Sequence, residues 1–246
     1  MEIFSREQWQ MTLGQRAALE GVLSSLKPET ALEIGTAAGG SLRSLSLHSG
    51  HVHSFDLALP PNPERFPNVT FHVGNSHETL GPWLDGFDGE IQFVLIDGDH
   101  TTKGALNDIR DVVESPALNG VVLMHDACNA QVHRALKSYP WSEHERVRYV
   151  DFGFLPGYVL RRGRADPGEL CSGFAIAIVG DRVPLAPVFT SRGPVFDGFY
   201  DPRSVMRPAA EVIKRPHAIA RQLRRPRTTI RNARWKLVQA RKRTNV

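Results

Sequence analysis

Residues 31–41, ALEIGTAAGGS, decide the fold. An apolar run, Ala31–Ile34, carries one acid, Glu33, and leads into Gly35, with Gly39 and Gly40 close behind. Glycine lets the backbone turn sharply and approach a ligand closely, and a following helix offers unpaired N–H groups at its start. The stretch reads as strand, tight turn and helix start, the opening unit of a doubly wound α/β sheet. Its spacing, Gly35-x-x-x-Gly39, is not the G-x-G-x-x-G of dinucleotide sites. Glu33 suits a positively charged amino-acid group, whereas a diphosphate would be repelled by it. Thr36, Ala37 and Ser41 lie in the same turn and helix start, and join Glu33, Gly35 and Gly39 as candidate cofactor contacts.

Short apolar runs alternate with amphipathic stretches on either side of this segment, as in a wound parallel sheet. Upstream, Ala18, Leu19, Val22, Leu23 and Leu26 share one helical face. Strands are expected at 31–35, 51–56, 69–73, 91–97 and 121–125, with a helix ending before Pro116 and another around Val132, Ala135 and Leu136. The run IQFVLID, 91–97, is apolar almost throughout, as expected of a central strand covered on both faces. RVRYVDF and GFAIAIVG read as two later strands, joined by a Pro/Gly-rich connection suited to an acceptor pocket or a homodimer contact. Asp56 ends the second strand, where it can accept hydrogen bonds from a ribose diol. Asn75 and Ser76, after the third, lie at the height expected of an adenine ring, though either also suits a helix cap.

The 246 residues include 41% hydrophobic and 23% charged residues, ordinary for a globular protein with a full core. No apolar run reaches membrane-span length, and the N-terminus lacks the pattern of a secretory signal. Cys128 and Cys171 have no CxxC or zinc spacing, so both read as reduced thiols of a cytoplasmic protein. Residues 203–246 hold 14 Lys or Arg and one acid, which leaves 16 basic and 25 acidic residues in 1–202. Residues 1–202 are therefore expected to be the folded domain and 203–246 a basic linker and tail helix. Such a tail fits an anionic membrane surface, peripheral to the cytoplasmic side, or a solvated extension.

Glu33-x-Gly35 with Gly39, Asp56, IDGDH at 96–100 and HDA at 125–127 resemble the class I S-adenosylmethionine-dependent methyltransferases. Within these the chain resembles the group of macrocin-type sugar O-methyltransferases and cephalosporin-hydroxylase-like proteins, over roughly residues 15–180. The resemblance implies a Rossmann-like sheet of seven strands with the last antiparallel, and S-adenosylmethionine as cofactor. It also implies a metal-binding acid at Asp97 and a histidine base at His100. His125 stands where metal-dependent relatives have a further acid.

Asp97 and Asp126 end the fourth and fifth strands, which are neighbours about 4.8 Å apart in a doubly wound sheet. Two uncompensated carboxylates so placed would repel, and a divalent cation resolves the conflict. Oxygen ligands suit Mg²⁺ or Mn²⁺, with His125 as a further candidate ligand beside Asp97 and Asp126. The cation would orient substrate oxygens and acidify one, and His100 would take the proton, with Asp97 serving both cofactor site and catalysis. A metal-assisted O-methyltransferase acting on a glycan or small hydroxylated acceptor is the expected function. An RNA or lipid-surface methyltransferase is the alternative, together with a non-catalytic cofactor-binding protein. Nucleic acid is disfavoured because the chain has no NPPY- or DPPY-type motif and its excess basic charge lies outside the core.

Overall fold

The computed structural model describes residues 10–159, 170–183 and 188–189. The expectations for 203–246 and for the connection at 160–169 lie outside the described residues.

Helix α1 (Leu13–Leu26) is opened by a capping box in which the Thr12 hydroxyl accepts the Gln15 N–H and Gln15 Oε1 accepts the Thr12 N–H. Four strands and three helices follow: β1 (Thr30–Ile34), α2 (Gly40–His48), β2 (His51–Asp56), β3 (Val69–Val73), α3 (Ser76–Gly86), β4 (Ile91–Ile96) and α4 (Thr102–Glu114). Then come β5 (Leu118–His125), α5 (Ala130–Ser138), β6 (Val147–Leu155), a small hairpin of β7 (Tyr158–Val159) and β8 (Leu170–Cys171), β9 (Phe174–Val179) and β10 (Val188–Phe189). The main sheet runs β10-β6-β9-β5-β4-β1-β2-β3. Its pairs are parallel except those that β9 makes with β5 and β6. This is the expected seven-stranded sheet with its last strand antiparallel, extended at the β6 edge by the two residues of β10.

Alternation along the strands builds two cores. Leu32, Ile34, Val94 and Ile96 face the layer of α3, α4 and α5, and meet Leu80, Ile109 and Val132. Ala31, Phe93 and Leu95 face the opposite layer and meet Leu19, Leu23, Leu42 and Leu45 of α1 and α2. Every residue of β4 is buried, and each large aliphatic so buried contributes roughly 1.5–3 kcal/mol. Glu33 has the same strand parity as Ala31, so its side chain is directed under α2.

The first five strands lie within a residue of expectation except at the start of the fifth, and the sixth runs on to Leu155. The fifth strand begins at Leu118 rather than residue 121, because Leu118 pairs with Ile91 around a register shift. Asn119 and Gly120 resemble a turn in sequence, yet a Cβ at Gly120 would lie 1.9 Å from the Gln92 carbonyl oxygen. The glycine permits close strand approach.

Candidate active site

The carboxyl ends of β1, β2, β3 and β4 open onto a cavity of about 600 Å³. At its floor Gly35 has φ +87°, and an added Cβ would lie 2.1 Å from the Asp97 carbonyl oxygen. Only glycine lets the ends of β1 and β4 close in this way, with Gly35 N–H donating to Phe55 O and Asp97 N–H to Ile34 O, both at 2.8 Å. Asp56 secures the turn above: its Oδ2 accepts the Thr36 N–H at 2.6 Å and the Ala37 N–H at 2.8 Å. Gly35, Thr36, Ala37, Ser41, Asp56, Asn75, Ser76, Asp97 and His100 all line the cavity.

Gly39 and Glu33 stand outside that lining. Gly39 is the N-cap of α2, with φ +79°. Glu33 is fully buried behind the turn, where its Oε1 accepts the Ser41 hydroxyl at 2.6 Å, and Ser54, its register partner on β2, lies 3.5 Å from Oε2. Burial pushes the Glu33 carboxyl up to about 8, against the pull of its hydroxyl partners. Glu33 thus holds its proton to higher pH than an exposed carboxylate and braces α2 against β1. Asn75 caps α3, its side chain accepting the His77 N–H at 3.2 Å.

The raised Glu33 pKa makes a stability prediction with a definite sign. Below pH 4.5 the group is neutral folded and unfolded alike; as pH rises towards 8 only the unfolded chain releases the proton, so stability falls. Glu33→Gln should therefore flatten the loss of stability between pH 5 and 8.5, by on the order of a few kcal/mol. Urea midpoints at the two pH values check this; parallel losses in both proteins would contradict the assignment.

At the β4–β5 side the second constellation assembles. One ligand atom each from Asp97, His100 and Asp126 lie within 4.8 Å of one another. His100 Nε2 is 3.4 Å from both Asp97 Oδ1 and Asp126 Oδ2. Asp126 adopts a left-handed backbone (φ +51°) and accepts the Ser172 N–H on Oδ1. Here the structure changes the expected ligand set. His125 is buried; its Nδ1 lies 2.8 Å from Asp97 Oδ1, and its Nε2 is buried without a hydrogen-bond partner. Its ring packs edge-on against Phe174, its register partner on β9, which fixes it as a brace for Asp97. The converging donors are therefore Asp97, Asp126 and His100.

Burial alone would raise the Asp97 pKa, but the neighbouring His125 and His100 hold it below the ordinary carboxylate value. His100 is raised, first by its hydrogen bond to Asp97. Two carboxylates and an imidazole at this separation are a donor set that fits a divalent cation.

Sequence reasoning passed over two groups here, His77 and Asp108, and placed Asp99 only as an alternative base in the IDGDH segment. Asp99 and His77 line the cavity, with His77 Nε2 3.4 Å from Asp99 Oδ2. Asp108 of α4 is fully buried behind them. Its signal was present: it shares the buried face of α4 with Ala105, Ile109 and Val112, where an acid is out of place.

Residues 32–127 match a family described as a methyltransferase domain. No curated protein sequence matches the chain. Among solved structures, the chain is similar to an O-methyltransferase from Bacillus cereus in complex with SAH, at 16% identity and TM-score 0.54 over 69% of this chain and 82% of that one. It is similar in the same way to the O-methyltransferase TomG of Streptomyces achromogenes, at 16% identity and TM-score 0.51 over 69% and 81%. Those likenesses establish the fold, and the matched residues include the glycine turn, Asp56 and the Asp97–His100 segment. Residues 32–127 are thus similar to a methyltransferase domain, and the chain shares the fold of these O-methyltransferase structures.

Proposed function

We propose that this enzyme transfers the methyl group of S-adenosylmethionine to a hydroxyl oxygen of a sugar, glycan or other small hydroxylated acceptor, with help from a divalent cation. The observation that carries this reading is the convergence of Asp97, Asp126 and His100 beside the cofactor cavity. The similarity to the Bacillus cereus enzyme and TomG, both named as O-methyltransferases, supports oxygen as the methylated atom. The polar, acidic character of the cluster suits a hydroxylated acceptor.

Asp56 and the Thr36–Ala37 turn hold the nucleoside end of the cofactor, Asp56 through the ribose diol. Asp97 and Asp126 would hold Mg²⁺ or Mn²⁺, and His125 keeps Asp97 oriented from behind. Such a cation supplies Lewis acidity that lowers the pKa of a neighbouring hydroxyl. As the acceptor oxygen bonds to the methyl carbon, the carbon–sulfur bond breaks and its electron pair neutralises the sulfonium. The hydroxyl proton passes to His100 Nε2, the one cluster atom that is both basic and half-exposed, with the side chain 48% accessible.

Methyl transfer from isotopically labelled S-adenosylmethionine to a panel of glycans and polyols tests the reading. Exhaustive chelation should abolish turnover, Mg²⁺ or Mn²⁺ should restore it, and S-adenosylhomocysteine affinity should stay nearly constant. Full turnover in the chelated protein would leave Asp97 and Asp126 as purely structural acids.

A further inference from the structure

Asp108 does not line the cavity, yet it holds two pieces of the cavity wall. Its Oδ1 accepts the Ser76 hydroxyl at 3.1 Å and lies 3.6 Å from His77 Nδ1. The same carboxylate accepts the backbone N–H of Asp99, while its Oδ2 is buried without a hydrogen-bond partner. Ser76 and His77 begin α3, and Asp99 follows β4, so one buried group from α4 ties together the ends of two strand–helix connections. A Cβ at Gly98 would lie 3.1 Å from Asp108 Oδ2, which shows how closely the loop is drawn onto it.

A serine hydroxyl has one proton to donate and two lone pairs that accept. The Ser76 proton is committed to Asp108, so towards the cavity Ser76 can act only as an acceptor. Asp56 on β2 is the ribose position in the proposed reading, and the cavity continues from there to Gly74–His77 beyond β3. The base end of a nucleoside cofactor therefore meets Ser76.

We propose that Asp108 is a positioning residue that sets the hydrogen-bond polarity of the base end of the cavity. By holding Ser76 as an acceptor, it selects the exocyclic amine of adenine over the carbonyl of a deaminated, hypoxanthine base. The inference rests on the cofactor orientation proposed above. Adenine presents an N–H donor where hypoxanthine presents a carbonyl acceptor, and two facing acceptors leave a desolvated group unpaired.

Calorimetry on the full chain with S-adenosylhomocysteine and S-inosylhomocysteine tests this. The wild type should prefer the adenine ligand by at least about tenfold, the scale of one lost hydrogen bond. Asp108→Ala frees the Ser76 hydroxyl to turn and donate, and the preference should fall to within about threefold. Asp108→Asn keeps an acceptor oxygen and should retain the preference. Ser76→Ala removes the acceptor itself and should also abolish the preference, which keeps the test decisive if Asp108→Ala fails to fold. A merely structural role for Asp108 would weaken both ligands alike and leave their ratio unchanged. Retained preference in Asp108→Ala or Ser76→Ala, or none in the wild type, overturns the inference alone. Failure of S-adenosylhomocysteine to bind at all would remove the cofactor orientation and the inference with it.

Discussion

His100→Ala is expected to slow methyl transfer by roughly 10²–10⁴-fold, the usual effect of removing a positioned general base. Cofactor affinity should change little, because the nucleoside end of the site is built from other residues, so the loss falls on kcat. The sign of the pH dependence follows from the environment of His100. Its hydrogen bond to Asp97 and the charge of Asp126 raise its pKa above the ordinary value, and a cation held by those carboxylates would oppose that rise. In either case a base acts in its deprotonated form. The wild-type rate should rise with pH as His100 loses its proton, and the variant should lose that limb. Pre-steady-state rates at saturating metal across pH check both points. If activity returns to wild type once Mg²⁺ is raised, His100 is a third ligand, and the proton goes to another group.

Asp56→Ala should weaken S-adenosylhomocysteine binding roughly 10²–10³-fold, more than the loss of a single ribose contact. A hydrogen bond to a charged acceptor contributes about 1.5–3 kcal/mol, which accounts for ten- to hundredfold. The rest comes from the turn itself, since the variant releases the N–H groups of Thr36 and Ala37 that Asp56 now holds. Asp56→Asn keeps an acceptor for those N–H groups and should fall between the two. Calorimetric titration of the three proteins separates these contributions. Equal affinity in wild type and Asp56→Ala would show that Asp56 neither shapes the turn nor meets the ribose.

The strands and the glycine turn were legible in sequence because their signals are local. A buried parallel strand such as β4 must be apolar at every position, and Gly35 must be glycine wherever a strand end closes this tightly on its neighbour. Asp56, Ser76, Asp97 and His100 were legible too, because the doubly wound topology sends all strand carboxyl ends to one edge. That much the chain determined by itself: the fold class, the edge onto which the cavity opens, and the residue types gathered there.

What each side chain does at that edge depended on tertiary neighbours. Glu33 looked like a ligand contact from its distance to Gly35, but strand parity directs it under α2 against Ser41, where burial raises its pKa. From sequence His125 was the candidate further ligand and His100 the base; the packing of β5 against β9 encloses His125 beside Phe174 and leaves His100 half-exposed between two acids. Asp108 lies eleven residues beyond Asp97 and gains its meaning only when α4 folds back behind the start of α3. Periodicity along a chain reports which face is buried; which group from another element comes to meet that face is decided by helix packing across the sheet, and hydrogen bonds are specific at a scale below 1 Å.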